Sequence, residues 1–133
     1  MTIDELVDNF ALFEDWEDRY RYLIDLGANL PPMDEALKTP GSKVEGCMSQ
    51  VWMLPGWDSH GRLTLQADSD AQIVKGLIAV LYILFSGRTR EEILAMDVVG
   101  IFSKLGLDAH LSPNRRNGFF SMVENVRAFV SSY

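Results

Sequence analysis

One thiol stands alone in this chain. Cys47 is the only cysteine among 133 residues, set in the run Val44-Glu45-Gly46-Cys47-Met48-Ser49-Gln50-Val51-Trp52. A single thiol excludes an internal disulfide and any site built from several thiolates. Chemistry at this sulfur is therefore that of a lone nucleophile or carrier. Gly46 lets the backbone turn sharply and clears space beside the thiol. Ser49 and Gln50 keep the cysteine out of an apolar run. The competing reading is a small buried hydrophobe, because free cysteine is among the most buried residue types. His60 and His110 offer a second chemistry, since a Cys–His pair would make a hydrolase or transferase. Neither histidine has a motif around it. His60 falls in a turn and His110 just ahead of a helix start, so solvated loop histidines are the simpler reading. Trp52 and Trp57 read as core rather than as a ligand platform, and Met48 as an apolar cover for the thiol.

The elements that must position Cys47 follow from period and punctuation. Thr2 and Glu5 have capping-box spacing, and Ile3, Leu6, Phe10 and Phe13 recur at helical intervals. Asp15 caps a second helix, with Trp16, Tyr20, Leu23 and Ile24 as its apolar stripe and Gly27 as its end. Pro31-Pro32 forbids continuation, and residues 33–43 read as a loop with at most one short helical turn. The middle changes period. Val51-Trp52-Met53-Leu54 is a continuous apolar run, Pro55 to Gly61 is turn-rich, and Leu63, Leu65 and Ala67 alternate with polar residues. This predicts a hairpin of roughly 48–56 with 61–68, with a third strand from residues near 42–46. Asp68, Ser69 or Asp70 then caps a helix whose apolar residues, Ile73 to Phe85, cover almost every face and place it at the centre. Gly87 ends it. Thr89 and Glu92 start a short helix through Met96, Asp97 caps another over 98–105, and Ser112-Pro113 opens the last. Helices, a small antiparallel sheet of three strands, then helices again, with no repeat or linker, predict one α+β domain over 1–133.

Composition narrows the partners. The formal net charge is -7, which argues against nucleic acid and anionic membranes, both of which select clustered Lys and Arg. The start Met1-Thr2-Ile3-Asp4-Glu5 lacks the basic region of a signal peptide. The longest apolar run, Leu77 to Phe85, is far below the roughly 18 residues that span a bilayer. An unpaired cysteine suits a reducing compartment, so the expected location is cytoplasmic.

Three separated segments carry a family resemblance. Gly46-Cys47-Met48-Ser49-Gln50-Val51-Trp52 resembles the G-C-x-S-Q-V-W signature of SufE-type sulfur-acceptor proteins (the SufE/CsdE family). The stretch Asp68-Ser69-Asp70-Ala71-Gln72-Ile73-Val74-Lys75-Gly76-Leu77-Ile78-Ala79 is similar to the family's segment after the hairpin. Leu111-Ser112-Pro113-Asn114-Arg115-Arg116-Asn117-Gly118 resembles its L-[ST]-P-x-R-x-x-G segment. The three occur in family order and cover nearly the whole chain, most weakly before residue 20. Met48 and Asn114 fall at variable positions of the signature. The resemblance implies an α+β fold shared with the IscU/NifU scaffolds. It also implies a carrier that takes persulfide sulfur from a cysteine desulfurase of the SufS or CsdA type and stimulates that enzyme. The sulfur then passes to an iron–sulfur scaffold or other acceptor, with no metal or cofactor of the carrier's own. A cluster scaffold would need several cysteines. Cys47 matches the sulfur-accepting residue, with Gly46 and Gln50 beside it, and Asp70 and Arg115 match polar residues near that loop. Lys43 and Arg115 would stabilise a thiolate or persulfide anion if the fold brings them close. The alternative for Arg115 is a helix-entry residue bonded to backbone or Asp70, for Lys43 a solvated loop charge, and for Asp70 a plain helix cap. Two other functions stay open: a non-catalytic allosteric activator of a desulfurase, and an independent Cys–His enzyme. Monomer and homodimer both fit.

Overall fold

A computed structural model of the chain describes residues 1–46 and 49–132. Helix starts are set by short polar side chains. Thr2 Oγ1 accepts the Glu5 N–H at 3.1 Å and opens α1, Ile3–Ala11. Asp15 Oδ1 accepts the Glu17 N–H at 3.1 Å and opens α2, Trp16–Ala28. A single 3-10 turn, Glu35–Leu37, is the only helical piece of the loop that follows. Gly27 does not end α2, as its position suggested. It is buried one residue before the helix end, where a Cβ would meet the backbone nitrogen of Gly76 at 2.6 Å. Gly76 in turn faces the Leu23 carbonyl. The two glycines let α2 lie directly against the central helix α3, Gln72–Phe85.

The hairpin is β1 Val51–Trp57 with β2 Leu63–Ser69; both strands start two to three residues later than expected and end one residue later. It is antiparallel, from Val51 opposite Ser69 to Trp57 opposite Leu63. Leu63, Leu65, Ala67 and Ser69 are buried while Thr64 and Gln66 are exposed, as the period of two requires. The expected third strand is corrected. Among the described residues the sheet has two strands. Residues 42–44 contribute only an isolated bridge, Lys43 with Trp52, held by Val44 N–H to the Val51 carbonyl and Met53 N–H to the Ser42 carbonyl, both 2.8 Å. Turns at Thr39–Ser42 and at Glu45-Gly46 close off this extended stretch on both sides. Three residues are too few to continue a ladder.

The rest is helical. The Thr89–Glu92 capping box starts α4, Arg90–Ala95, and Asp97 caps α5, Val98–Lys104. Gly106, at φ 75°, leads into α6, Leu107–His110, a short helix with no separate signal in the sequence. Ser112 caps α7, Pro113–Ser131. The core joins β1 and β2 to α3 and α7, with Val51, Met53, Leu77, Leu81, Phe119 and Val126 all nearly inaccessible. α7 therefore runs beneath the start of the hairpin, next to the segment that carries the thiol. The result is an α+β architecture.

Candidate functional site

Cys47 and Met48 lie outside the described residues. The residues on both sides of them are held at three points, two on α7 and one on the segment between β2 and α3. On the N-terminal side, Gly46 has φ +85°, the left-handed region that glycine enters freely. A Cβ there would meet Ser121 Oγ of α7 at 2.7 Å. The position therefore needs glycine first for its conformation, while the close contact is with a hydroxyl that can rotate away.

On the C-terminal side the chain is clamped twice. The Gln50 N–H donates to Asp70 Oδ1 at 3.1 Å, and the Asp70 N–H donates to the Gln50 carbonyl at 3.3 Å. Asp70 is therefore not the cap of α3. That helix starts after Ala71, with no side-chain cap. Ser69 Oγ is occupied by the Ala71 N–H at 3.3 Å, and Asp68 Oδ1 accepts the Ser69 N–H at 2.8 Å. One residue earlier than Gln50, Ser49 Oγ accepts from Arg115 Nη1 at 3.5 Å. The backbone N–H of Arg115 is taken by the Ser112 cap at 3.3 Å. Arg115 is thus both a helix-entry residue and a tether of the loop, and its tether is Ser49 rather than Asp70. Six residues separate Arg115 from Ser121, so the two contacts on α7 lie roughly 9 Å apart along its axis.

Beside Ser49 is a cavity of about 370 Å³. Val74 and Leu77 of α3 with Phe119 and Met122 of α7 form its apolar wall, and Ser49, Ser112, Asn114 and Arg115 supply polar groups. Arg115 thus brings a half-buried guanidinium to the C-terminal flank of the thiol loop.

A second cluster went unrecognised in the sequence. Lys38, with its side chain only 14% exposed, sits 2.7 Å from both Asp68 Oδ2 and Glu35 Oε1. It also lies 5.3 Å from the ring centroid of Trp52, and Lys75 reaches Asp68 Oδ1 at 3.5 Å. The hydrogen bond to Asp68, then that to Glu35, raises the Lys38 ammonium above its ordinary value. Partial burial pushes the Asp68 carboxyl up, but the Lys38 and Ser69 hydrogen bonds and the Lys75 charge outweigh it and leave the group lowered. The cluster ties the 34–43 loop to the start of the hairpin. Its only sequence signal is an acid at position 68, directly opposite a tryptophan in the ladder.

The remaining polar residues are spread out. Lys43 is an exposed side chain on the isolated bridge. His60 is exposed in the β1–β2 turn, at the end of the hairpin away from Val51, with its N–H donated to Asp58. His110 stacks on Trp16 at 4.2 Å between ring centroids. Among the described residues no group of three or more His, Cys, Asp or Glu is placed to hold a metal ion, and no helix is long and apolar enough to cross a membrane.

A family model described as SufE, Fe-S metabolism associated domain, matches residues 4–130. An uncharacterized SufE-like protein of Rhizobium meliloti (strain 1021) is 45% identical over 130 residues, which cover 96% of this chain and 93% of the relative. Another from Rhizobium etli is 45% identical over 129 residues, covering 95% of this chain and 87% of the relative. The solution structure of a hypothetical protein from Thermus thermophilus superposes with a TM-score of 0.79 at 20% identity, over 99% of this chain and 97% of that one. At that identity the likeness speaks for the fold.

Proposed function

The chain belongs to the SufE family of Fe-S metabolism associated domains, and from that premise we propose that it is a sulfur carrier working with a cysteine desulfurase. Cys47 accepts the sulfane sulfur of the enzyme's persulfide and delivers it for iron–sulfur cluster assembly. In the transfer the Cys47 thiolate attacks the terminal sulfur of the donor persulfide. A new S–S bond forms on Cys47, the donor's S–S bond breaks, and the donor sulfur leaves as a thiolate. The step is an exchange of the thiol–disulfide type, balanced without an external oxidant. The free thiol it requires suits a reducing, cytoplasmic setting.

The observation that carries this reading is how the residues flanking the only cysteine in the sequence are held: Gly46 lies against α7, Arg115 bonds Ser49, and Asp70 bonds Gln50. Arg115 favours thiolate or persulfide anion electrostatically. Intact-mass measurement after incubation with a cysteine desulfurase and cysteine tests the carrier role. The expected result is addition of one or more sulfur atoms, removable by reductant, mapped to Cys47 and absent from Cys47→Ser. Stimulation of the desulfurase by Cys47→Ser protein, with no sulfur on wild type, would replace the carrier by an allosteric activator.

A further inference from the structure

The outer face of α7 carries a trough that leads to the thiol loop. One part, about 530 Å³, is lined by Val99, Leu111 and Phe120, with the exposed side chains of Asp108 and Arg116 beside them. The next part, about 500 Å³, is lined by Phe120 again, with exposed Glu45 and Glu124. Phe120 and Asn117 belong to both parts, so the trough is continuous and ends at Glu45, two residues before Cys47 in the chain. Val99 is 64% exposed, an apolar side chain on α5 that contributes little to the fold and is free to meet a partner. The charged groups along the trough are three carboxylates, Asp108, Glu45 and Glu124, against one guanidinium, Arg116.

We propose that this trough is the docking surface for the cysteine desulfurase, receiving an apolar segment of that enzyme flanked by Lys or Arg. The proposal rests on the carrier reading above and adds to it where the donor sits and what chemistry the donor's contact has. Charge decides between occupants. A second copy of this chain, meeting the trough about a two-fold axis, would bring six carboxylates together with only two guanidiniums, and each copy carries a net charge of -7. A basic segment finds the opposite field, which speeds encounter and fixes orientation. The apolar wall supplies the contact that holds it. Position completes the argument, because a segment lying along α7 brings its owner up to Glu45-Gly46, at the entrance to the loop.

The test measures Kd for each cysteine desulfurase of the source genome with wild type, Val99→Lys, Glu124→Lys and a remote control. The control is Leu12→Lys, which alters an apolar side chain 77% exposed just beyond α1. Val99→Lys should raise Kd about tenfold or more, as for loss of an apolar anchor. Glu124→Lys should raise it about three- to tenfold with a weaker dependence on salt. Leu12→Lys should stay within about twofold, as a substitution outside the contact does. Thermal melts confirm that all three fold. Unchanged affinity in both trough variants overturns the proposal, as does an equal loss in Leu12→Lys. So does a change confined to self-association of the protein alone, seen by sedimentation. Sulfur uptake by wild type separates the two levels. Uptake with normal binding by the trough variants removes this surface and leaves the carrier intact. No uptake from any desulfurase removes both.

Discussion

Asp70→Ala removes one of the two hydrogen bonds that join Gln50 to the segment ahead of α3. The Gln50 N–H loses its carboxylate acceptor at 3.1 Å, while the backbone bond from Asp70 to the Gln50 carbonyl remains. A hydrogen bond to a charged acceptor is worth about 1.5–3 kcal/mol, and exposure of both residues reduces this to about 1 kcal/mol. With 1.4 kcal/mol per factor of ten, the opening equilibrium of the Cys47 loop should rise about fivefold. Cys47 is the only cysteine, so iodoacetamide reports on it alone. Where alkylation proceeds through the open loop, its rate should rise by about the same fivefold factor. Loss of a nearby negative charge also favours the thiolate and would accelerate alkylation without any loosening. Asp70→Asn separates the two effects, because it loses the charge but keeps an acceptor oxygen. At neutral pH the expected order is wild type, then Asn, then Ala. At a pH where the thiol is fully ionised the electrostatic part disappears and the gap between Ala and Asn persists. Equal rates for Ala and Asn at high pH would show that Asp70 acts through charge and not as a clamp. Equal rates for Ala and wild type would remove both roles.

Gly46→Ala places an L-residue at φ +85°, which costs about 1–2 kcal/mol. It also sets a Cβ against Ser121 Oγ. Denaturant titration should show that loss, and Ser121→Ala in the same chain should return only a small part of it, since a serine hydroxyl can rotate away. Full recovery would mean that the contact with α7, and not the backbone conformation, requires glycine. Asp68 sets an acid limit. Its folded value lies below the ordinary 3.8, so the stability from its pairing with Lys38 and Lys75 is complete above about pH 5 and is lost as pH falls through the depressed value. Thermal melts across this range should fall less steeply for Asp68→Asn than for wild type. That variant should be the less stable of the two at neutral pH. Parallel acid limbs would exclude Asp68 as a source of the acid sensitivity.

Much of the fold was legible because it is written locally. Thr2, Asp15, Thr89, Asp97 and Ser112 each announce a helix within three residues, and each accepts the hydrogen bond its position implies. The apolar residues from Ile73 to Phe85, which cover almost every face, required a buried helix whatever surrounds it. Gly27 was misread because a glycine near a helix end has two uses, stopping the helix or admitting a neighbour. Only the position of Gly76 on another helix decides between them. The Lys38–Asp68 pair joins a loop to a strand thirty residues later, and no local period encodes it.

Asp70 shows how a small error in strand length hides a site. The ladder pairs Val51 with Ser69, and one step further along the same register Gln50 stands opposite Asp70. The backbone bond from Asp70 to the Gln50 carbonyl continues the hairpin beyond its last regular pair, and the Asp70 carboxylate takes the Gln50 N–H in place of a ladder carbonyl. The expected hairpin ended at residue 68, which left Asp70 past the strand and in the helix start, where an aspartate reads as a cap. Extending the pairing two residues past 68 turns the same side chain into the group that holds the chain beside Cys47. A residue gains a cross-strand partner only where the pairing reaches it, so the end of the strand, more than residue type, decides whether the polar residues around the thiol read as structure or as site.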